Sequence, residues 1–172
     1  MKQSKIFKIA SAALFAAIVC VATMIVKIPS PATNGYFNLG DCFVLLSAWF
    51  IGPVYGALAA GIGSALADIL SGYAQYAPAT FVIKALMAVA AYFIFMALSK
   101  KSFVARLVSG ISAEAIMVLG YFGYEAVILS YGIAAAGSIF SNVMQGIVGI
   151  VSAIAIATVV NKNKTLSSFF KR

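Results

Sequence analysis

Ionisable and hydrogen-bonding side chains stand at a few positions of an otherwise apolar chain. Lys84, Glu114, Tyr121, Glu125, Asn142 and Gln145 sit inside apolar runs, and Asp41 and Asp68 sit at the ends of such runs. An amine, carboxylates, amides and a phenol can capture a small polar ligand, and carboxylates in such a setting can also carry protons. Hydrolytic and redox chemistries lack their parts. The chain has no histidine, which removes Ser-His hydrolysis, histidine-based metalloproteases and haem ligation by histidine. No G-x-x-x-x-G-K-[ST] loop occurs, so ATP hydrolysis by this chain is not expected. The two cysteines, Cys20 and Cys42, are isolated and read as packing residues. No catalytic residue, metal site or cofactor is therefore expected, and the pattern points to binding and transport.

The elements that position these groups follow from composition. Of 172 residues, 63% are hydrophobic and 9% charged, and the mean hydropathy is +1.05. So few charges cannot cover a water-exposed surface, and the apolar residues fall in long runs, so the solvent is lipid. Six spans are expected, at about residues 6–26, 39–51, 53–70, 78–98, 103–129 and 138–160, in one membrane domain covering 1–172. Gly52-Pro53, Gly72, Pro78, Gly132 and Gly137 punctuate the turns. The second run is short: thirteen residues rise about 20 Å as a helix, against a hydrocarbon core of about 30 Å.

Topology argues for counting it. Basic residues cluster at Lys2, Lys5 and Lys8, at Lys100, Lys101 and Arg106, and at Lys162, Lys164, Lys171 and Arg172. Six spans put all three clusters on one side, with both termini cytoplasmic, and leave Lys27 and Lys84 as the exceptions. The net charge of +8 thus reads as a topology signal and a contact to anionic headgroups, not as a nucleic-acid surface. Lys2 to Lys8 before an apolar stretch also resembles a signal peptide, but the stretch is long enough to span and further spans follow.

Depth and helical spacing gather the polar groups. From the outer ends of their spans, Glu125 and Asn142 lie about 6 Å in, and Lys84 and Gln145 about 9–10 Å. Glu114 alone is near the midplane. Glu114, Tyr121 and Glu125 share one face of the fifth span, and Asn142, Gln145 and Gly149 one face of the sixth. With Lys84 they line one pocket open to the outside. Tyr36, Tyr73, Tyr76 and Tyr124 lie in or near the outer loops and either stack on a flat ligand or form an interfacial belt. Lys84 either meets ligand or pairs with Glu125 or Glu114 as structural glue. Asn142 and Gln145 serve a ligand or bond helix to helix, and Asp41 and Asp68 also suit the tying of helix ends. Small residues recur every fourth position. The rows Gly52, Gly56, Ala60, Ser64 and Gly149, Ala153, Ala157 suit internal packing, whereas Ala12, Ala13, Ala16 and Ala17 on the first span suit either packing or a partner subunit.

The stretches Gly35-Tyr36-Phe37-Asn38-Leu39-Gly40-Asp41, Gly52-Pro53-Val54-Tyr55-Gly56-Ala57, Gly61-Ile62-Gly63-Ser64-Ala65-Leu66-Ala67-Asp68 and Gly72-Tyr73-Ala74-Gln75-Tyr76-Ala77-Pro78-Ala79-Thr80-Phe81, followed by Lys84, resemble the substrate-binding S components of energy-coupling factor (ECF) transporters, in the riboflavin or hydroxymethylpyrimidine branch. The resemblance implies six helices in a bacterial cell membrane and a vitamin or precursor bound near the outer face. The ligand would be held by the loops after spans 1 and 3 and by spans 4 to 6, with Tyr36, Asn38, Tyr73, Tyr76, Lys84, Tyr121, Glu125, Asn142 and Gln145 as site residues. It further implies docking of Ala12, Ala13, Ala16 and Ala17 on a transmembrane coupling subunit, with two ATPase subunits completing the importer. Hydroxymethylpyrimidine or a vitamin B6 form suits the side chains, with riboflavin next. The competing reading is a self-sufficient proton-coupled transporter using Glu114 and Glu125; such carriers often show an inverted repeat, and none is visible.

Overall fold

The computed structural model describes residues 5–25, 27–29, 36–98 and 102–170. Lys2, Lys100, Lys101, Lys171 and Arg172 lie outside the described residues, as does the side chain of Tyr36. The elements run α1 (Lys5–Ile25), β1 (Lys27–Pro29), β2 (Tyr36–Asn38), α2 (Gly40–Ile51), α3 (Pro53–Leu70), α4 (Ala77–Ala97), α5 (Phe103–Gly123), a π-turn (Tyr124–Ile128), a 3-10 turn (Gly132–Ala136), α6 (Gly137–Lys162) and α7 (Lys164–Phe170). Five of these helical segments are long and apolar enough to cross a membrane; α2, with twelve residues, is not.

Local chemistry sets the boundaries. Gly52, at φ 94, turns the chain between α2 and α3, and Pro53 opens α3, where its missing N–H costs nothing. Ser102 caps α5 by accepting from the Ala105 N–H at 2.9 Å. Two elements differ from expectation. The segment after α1 was read as a loop, but Lys27–Pro29 and Tyr36–Asn38 pair antiparallel, Lys27 opposite Asn38. The runs are three residues each, too short to show the alternation by which a strand is read. The second is α7, which lies beyond the last apolar run.

The core explains the short second run. Every residue of α2 except Phe43 is buried, so α2 is apolar all round because the other helices surround it. Glycines allow the approach: a Cβ on Gly56 would sit 2.9 Å from the Ser47 carbonyl oxygen, and one on Gly63 would sit 2.4 Å from that of Ala16. Rising 1.5 Å per residue, α2 covers about 18 Å. Beyond its end the ring of Phe170 from α7 stacks on Phe50 at 4.7 Å and meets Phe15 edge-on at 6.4 Å.

The bundle has two unlike ends. At one, Lys8 lies over the Tyr55 ring and Arg106 over the Phe95 ring, both at 5.9 Å, and the Trp49 indole donates to Ser109 at 3.1 Å. This is the basic end. The other carries the β pair, the turn between α3 and α4, and the π-turn, and is called the hairpin end below.

Candidate functional site

The polar groups converge toward the hairpin end in two linked clusters. Asp41, with no exposed surface, organises the deeper one. It forms an ion pair with Lys84 and accepts from the Gln145 side-chain amide at 2.5 Å. Gln145 in turn accepts from the Asn38 backbone N–H at 2.8 Å, and the Asn38 side chain accepts from the Gly40 N–H at 2.8 Å. Thus α4, α6, β2 and the start of α2 are tied by one chain of hydrogen bonds, as buried charges require. Glu114 of α5 lies against this cluster. Gly146 and Gly149 of α6 make room for it: a Cβ at Gly149 would meet both the Asp41 Cβ at 3.0 Å and Glu114 Oε1 at 3.3 Å. Glu114 is 5% exposed, and neither of its carboxylate oxygens has a hydrogen-bond partner among the described residues.

The shallower cluster centres on Glu125, in the π-turn that widens the end of α5, a distortion frequent at functional sites. Tyr76 donates to Glu125 Oε1 at 3.0 Å, and Ser138 donates to Oε2. The Tyr76 ring lies 6.5 Å from that of Tyr121 and 5.9 Å from that of Tyr124, whose hydroxyl donates to the Gln75 carbonyl. Tyr121 and Thr80 hydroxyls are 3.0 Å apart. Lys84 joins the clusters, its ammonium 5.5 Å from the centre of the Tyr121 ring. Asn142 is buried one turn from both Ser138 and Gln145, and its side chain makes no hydrogen bond among the described residues. Tyr73 is half-buried in the turn after α3, its N–H on the Asp68 carbonyl at 2.8 Å.

The structure therefore brings together Asn38, Tyr76, Lys84, Tyr121, Glu125, Asn142 and Gln145. It corrects the partner expected for Lys84, which is Asp41 and not Glu125 or Glu114. Asp41, expected to cap or tie a helix end, makes no cap bond but ties the start of α2 to α4 and α6 as the acceptor at the centre of the deeper cluster. Thr80 and Ser138 were not anticipated. Their signal was spacing: Tyr76, Thr80 and Lys84 stand at i, i+4 and i+8, and Ser138, Asn142 and Gln145 at i, i+4 and i+7.

A separate feature lies on the outside of the bundle. Ala12, Ala13, Ala16 and Ala17 of α1 line an apolar groove of 650 Å³ with Tyr55, Leu58, Ala59, Ile62 and Leu66 of α3. Ala13 and Ala17 are exposed; Ala12 and Ala16 are half-buried toward α3.

Comparison with known proteins places these features. The family model described as ECF-type riboflavin transporter, S component, matches residues 3–162. This chain belongs to that family. A solved structure titled "Structure and mechanism of the S component of a bacterial ECF transporter" is similar at TM-score 0.74 and 25% identity, covering 98% of this chain and 100% of that one. An uncharacterised protein of Pyrococcus woesei is 35% identical over 133 residues, 77% of this chain and 87% of its own length. S components are integral membrane proteins that bind a small-molecule substrate and associate with an ECF module of one transmembrane coupling subunit and two ATPases. This chain is accordingly a substrate-binding transport subunit and not an enzyme.

Proposed function

We propose that this S component captures a vitamin or vitamin precursor at its hairpin end, which faces the outside of the cell membrane, with both termini cytoplasmic and the whole chain forming one membrane domain. The observation that carries this reading is the convergence of Lys84, Tyr121, Glu125, Asn142 and Gln145 beside the rings of Tyr76 and Tyr124, in a chain that has few polar groups. Rings to stack on, with amides and charges at their edges, suit a small polar heteroaromatic molecule. Hydroxymethylpyrimidine or a vitamin B6 form fits best, and riboflavin follows. Asn38 and Gln145 join the β pair to α6 and so hold the mouth of the site; Tyr36 and Tyr73 complete it.

The groove of Ala12, Ala13, Ala16 and Ala17 is the docking surface for the coupling subunit. Small side chains let a partner helix approach closely, and α1 has room for one: of its 21 residues only Phe15, Val19, Cys20 and Thr23 are buried, against eight in α4 of the same length.

A thermal-shift panel of B vitamins and their precursors on the purified protein tests the first part. A ligand at about 100 times its dissociation constant adds about 2.7 kcal/mol to the folded state. One strongly stabilising compound is expected. No shift from any of them would sink the vitamin reading.

A further inference from the structure

We infer that the substrate binds as a cation, a protonated nitrogen base whose N–H groups are accepted by the Glu114 carboxylate. The inference rests on the capture site proposed above and narrows its cargo.

The charge inventory supports it. The chain has four acidic residues, Asp41, Asp68, Glu114 and Glu125, and all four are buried. Among the described residues the buried basic ones are Lys84 and Arg106, and Arg106 lies at the basic end beside Phe95. Asp41, Glu114 and Glu125 therefore share the interior of the site with one ammonium, that of Lys84. They are close enough to act together: Asp68, Asp41 and Glu125 all act electrostatically on the Tyr121 hydroxyl, and Asp41 and Lys84 act on Glu114. Lys84 is committed to Asp41. Glu125 is served by two neutral hydroxyls. Glu114 has no donor among the described residues and lies within electrostatic reach of Lys84 and Asp41; a carboxyl group buried in that way either stays uncharged or needs a cation of its own.

A positively charged ligand supplies that cation and lets Glu114 ionise, whereas a neutral one leaves it the uncharged acid. Two undonated carboxylate oxygens accept a pair of parallel N–H groups, the bidentate arrangement of strong charge-assisted hydrogen bonds. An aminopyrimidine protonated at the ring nitrogen beside its amino group presents such an edge, and a primary ammonium group supplies the same charge. The faces of Tyr76, Tyr121 and Tyr124 add attraction for a cation. A flavin is uncharged, and its ring N–H stands between two carbonyl oxygens, which a carboxylate repels.

Matched pairs test this on the full-length protein by titration calorimetry. The pairs are pyridoxamine against pyridoxine, and hydroxymethylpyrimidine against its analogue with a carbonyl in place of the amino group. In at least one pair the amine should bind about ten-fold tighter or better, one order of magnitude in dissociation constant. Glu114→Gln keeps the shape and removes the charge, and should bring that ratio to about one. If the variant fails to fold, the wild-type pairs alone decide. Equal or tighter binding of both neutral members, tighter binding of riboflavin than of either amine, or no binding of either amine overturns the inference. Tight riboflavin binding would leave the capture reading intact. Failure of the whole vitamin panel would take both down.

Discussion

The interior of α4–α6 and the outer face of α1 use opposite means in the same helical scaffold. Inside, most polar side chains are buried and tied to another, from Asn38 through Gln145 and Asp41 to Lys84, and from Tyr76 through Glu125 to Ser138, while Glu114 and Asn142 make no side-chain hydrogen bond among the described residues. On α1, the groove is lined by alanines and aliphatic side chains. The first region selects by directed bonds that lipid cannot offer. The second is a surface of shape alone, where any larger side chain is an obstruction. If ligand capture belongs to the first and docking to the second, as proposed above, substitutions in the two regions should separate cleanly.

The largest effect should come from Asp41→Ala, which leaves Lys84 buried without its partner. Breaking such a pair costs about 3–5 kcal/mol, to be read from unfolding of the purified protein. Asp41→Ala combined with Lys84→Met should recover much of that loss and still bind no ligand; full recovery of binding would show the pair to be scaffolding only. Glu125→Ala deprives the Tyr76 and Ser138 hydroxyls of their acceptor. It should cost about 1–3 kcal/mol of stability and abolish binding. Asn142→Ala sharpens the comparison, because its side chain makes no hydrogen bond among the described residues. Stability should change by less than about 1 kcal/mol, while affinity falls about ten-fold. Unchanged affinity would remove Asn142 from the site. Ala13→Leu should have the smallest effect on the isolated protein, none on stability or ligand binding, yet abolish co-purification with the coupling subunits. Ala13 is the sharper probe than Ala16, whose backbone packs against Gly63.

How much of this was legible in the sequence depends on the range of each interaction. The helices α3 and α4 occupy almost the residues expected because Gly52-Pro53 and Pro78 punctuate the chain locally. The faces of α5 and α6 followed from helical period. Pairing across the bundle did not follow. Lys84 lies 43 residues from Asp41, and nothing in the spacing ranks Asp41 above Glu114 or Glu125 as its partner. The reading of Asp41 as a helix-end residue came from its place at the edge of an apolar run, whereas its environment is set by α4 and α6. The β pair was hidden for the opposite reason, since three residues carry too little pattern.

The shortness of α2 has a consequence for apolar thickness. A helix of about 18 Å insulates little more than half of a hydrocarbon core of about 30 Å. Past Phe50, about nine residues or 13–14 Å of helix separate that end of α2 from Asp41 and the other buried carboxyl groups. The Phe15–Phe170–Phe50 aromatic cluster occupies the space beyond Phe50, so α7 continues the apolar column where α2 stops. Seven residues of α7 thus add apolar thickness at the end where the twelve residues of α2 fall short.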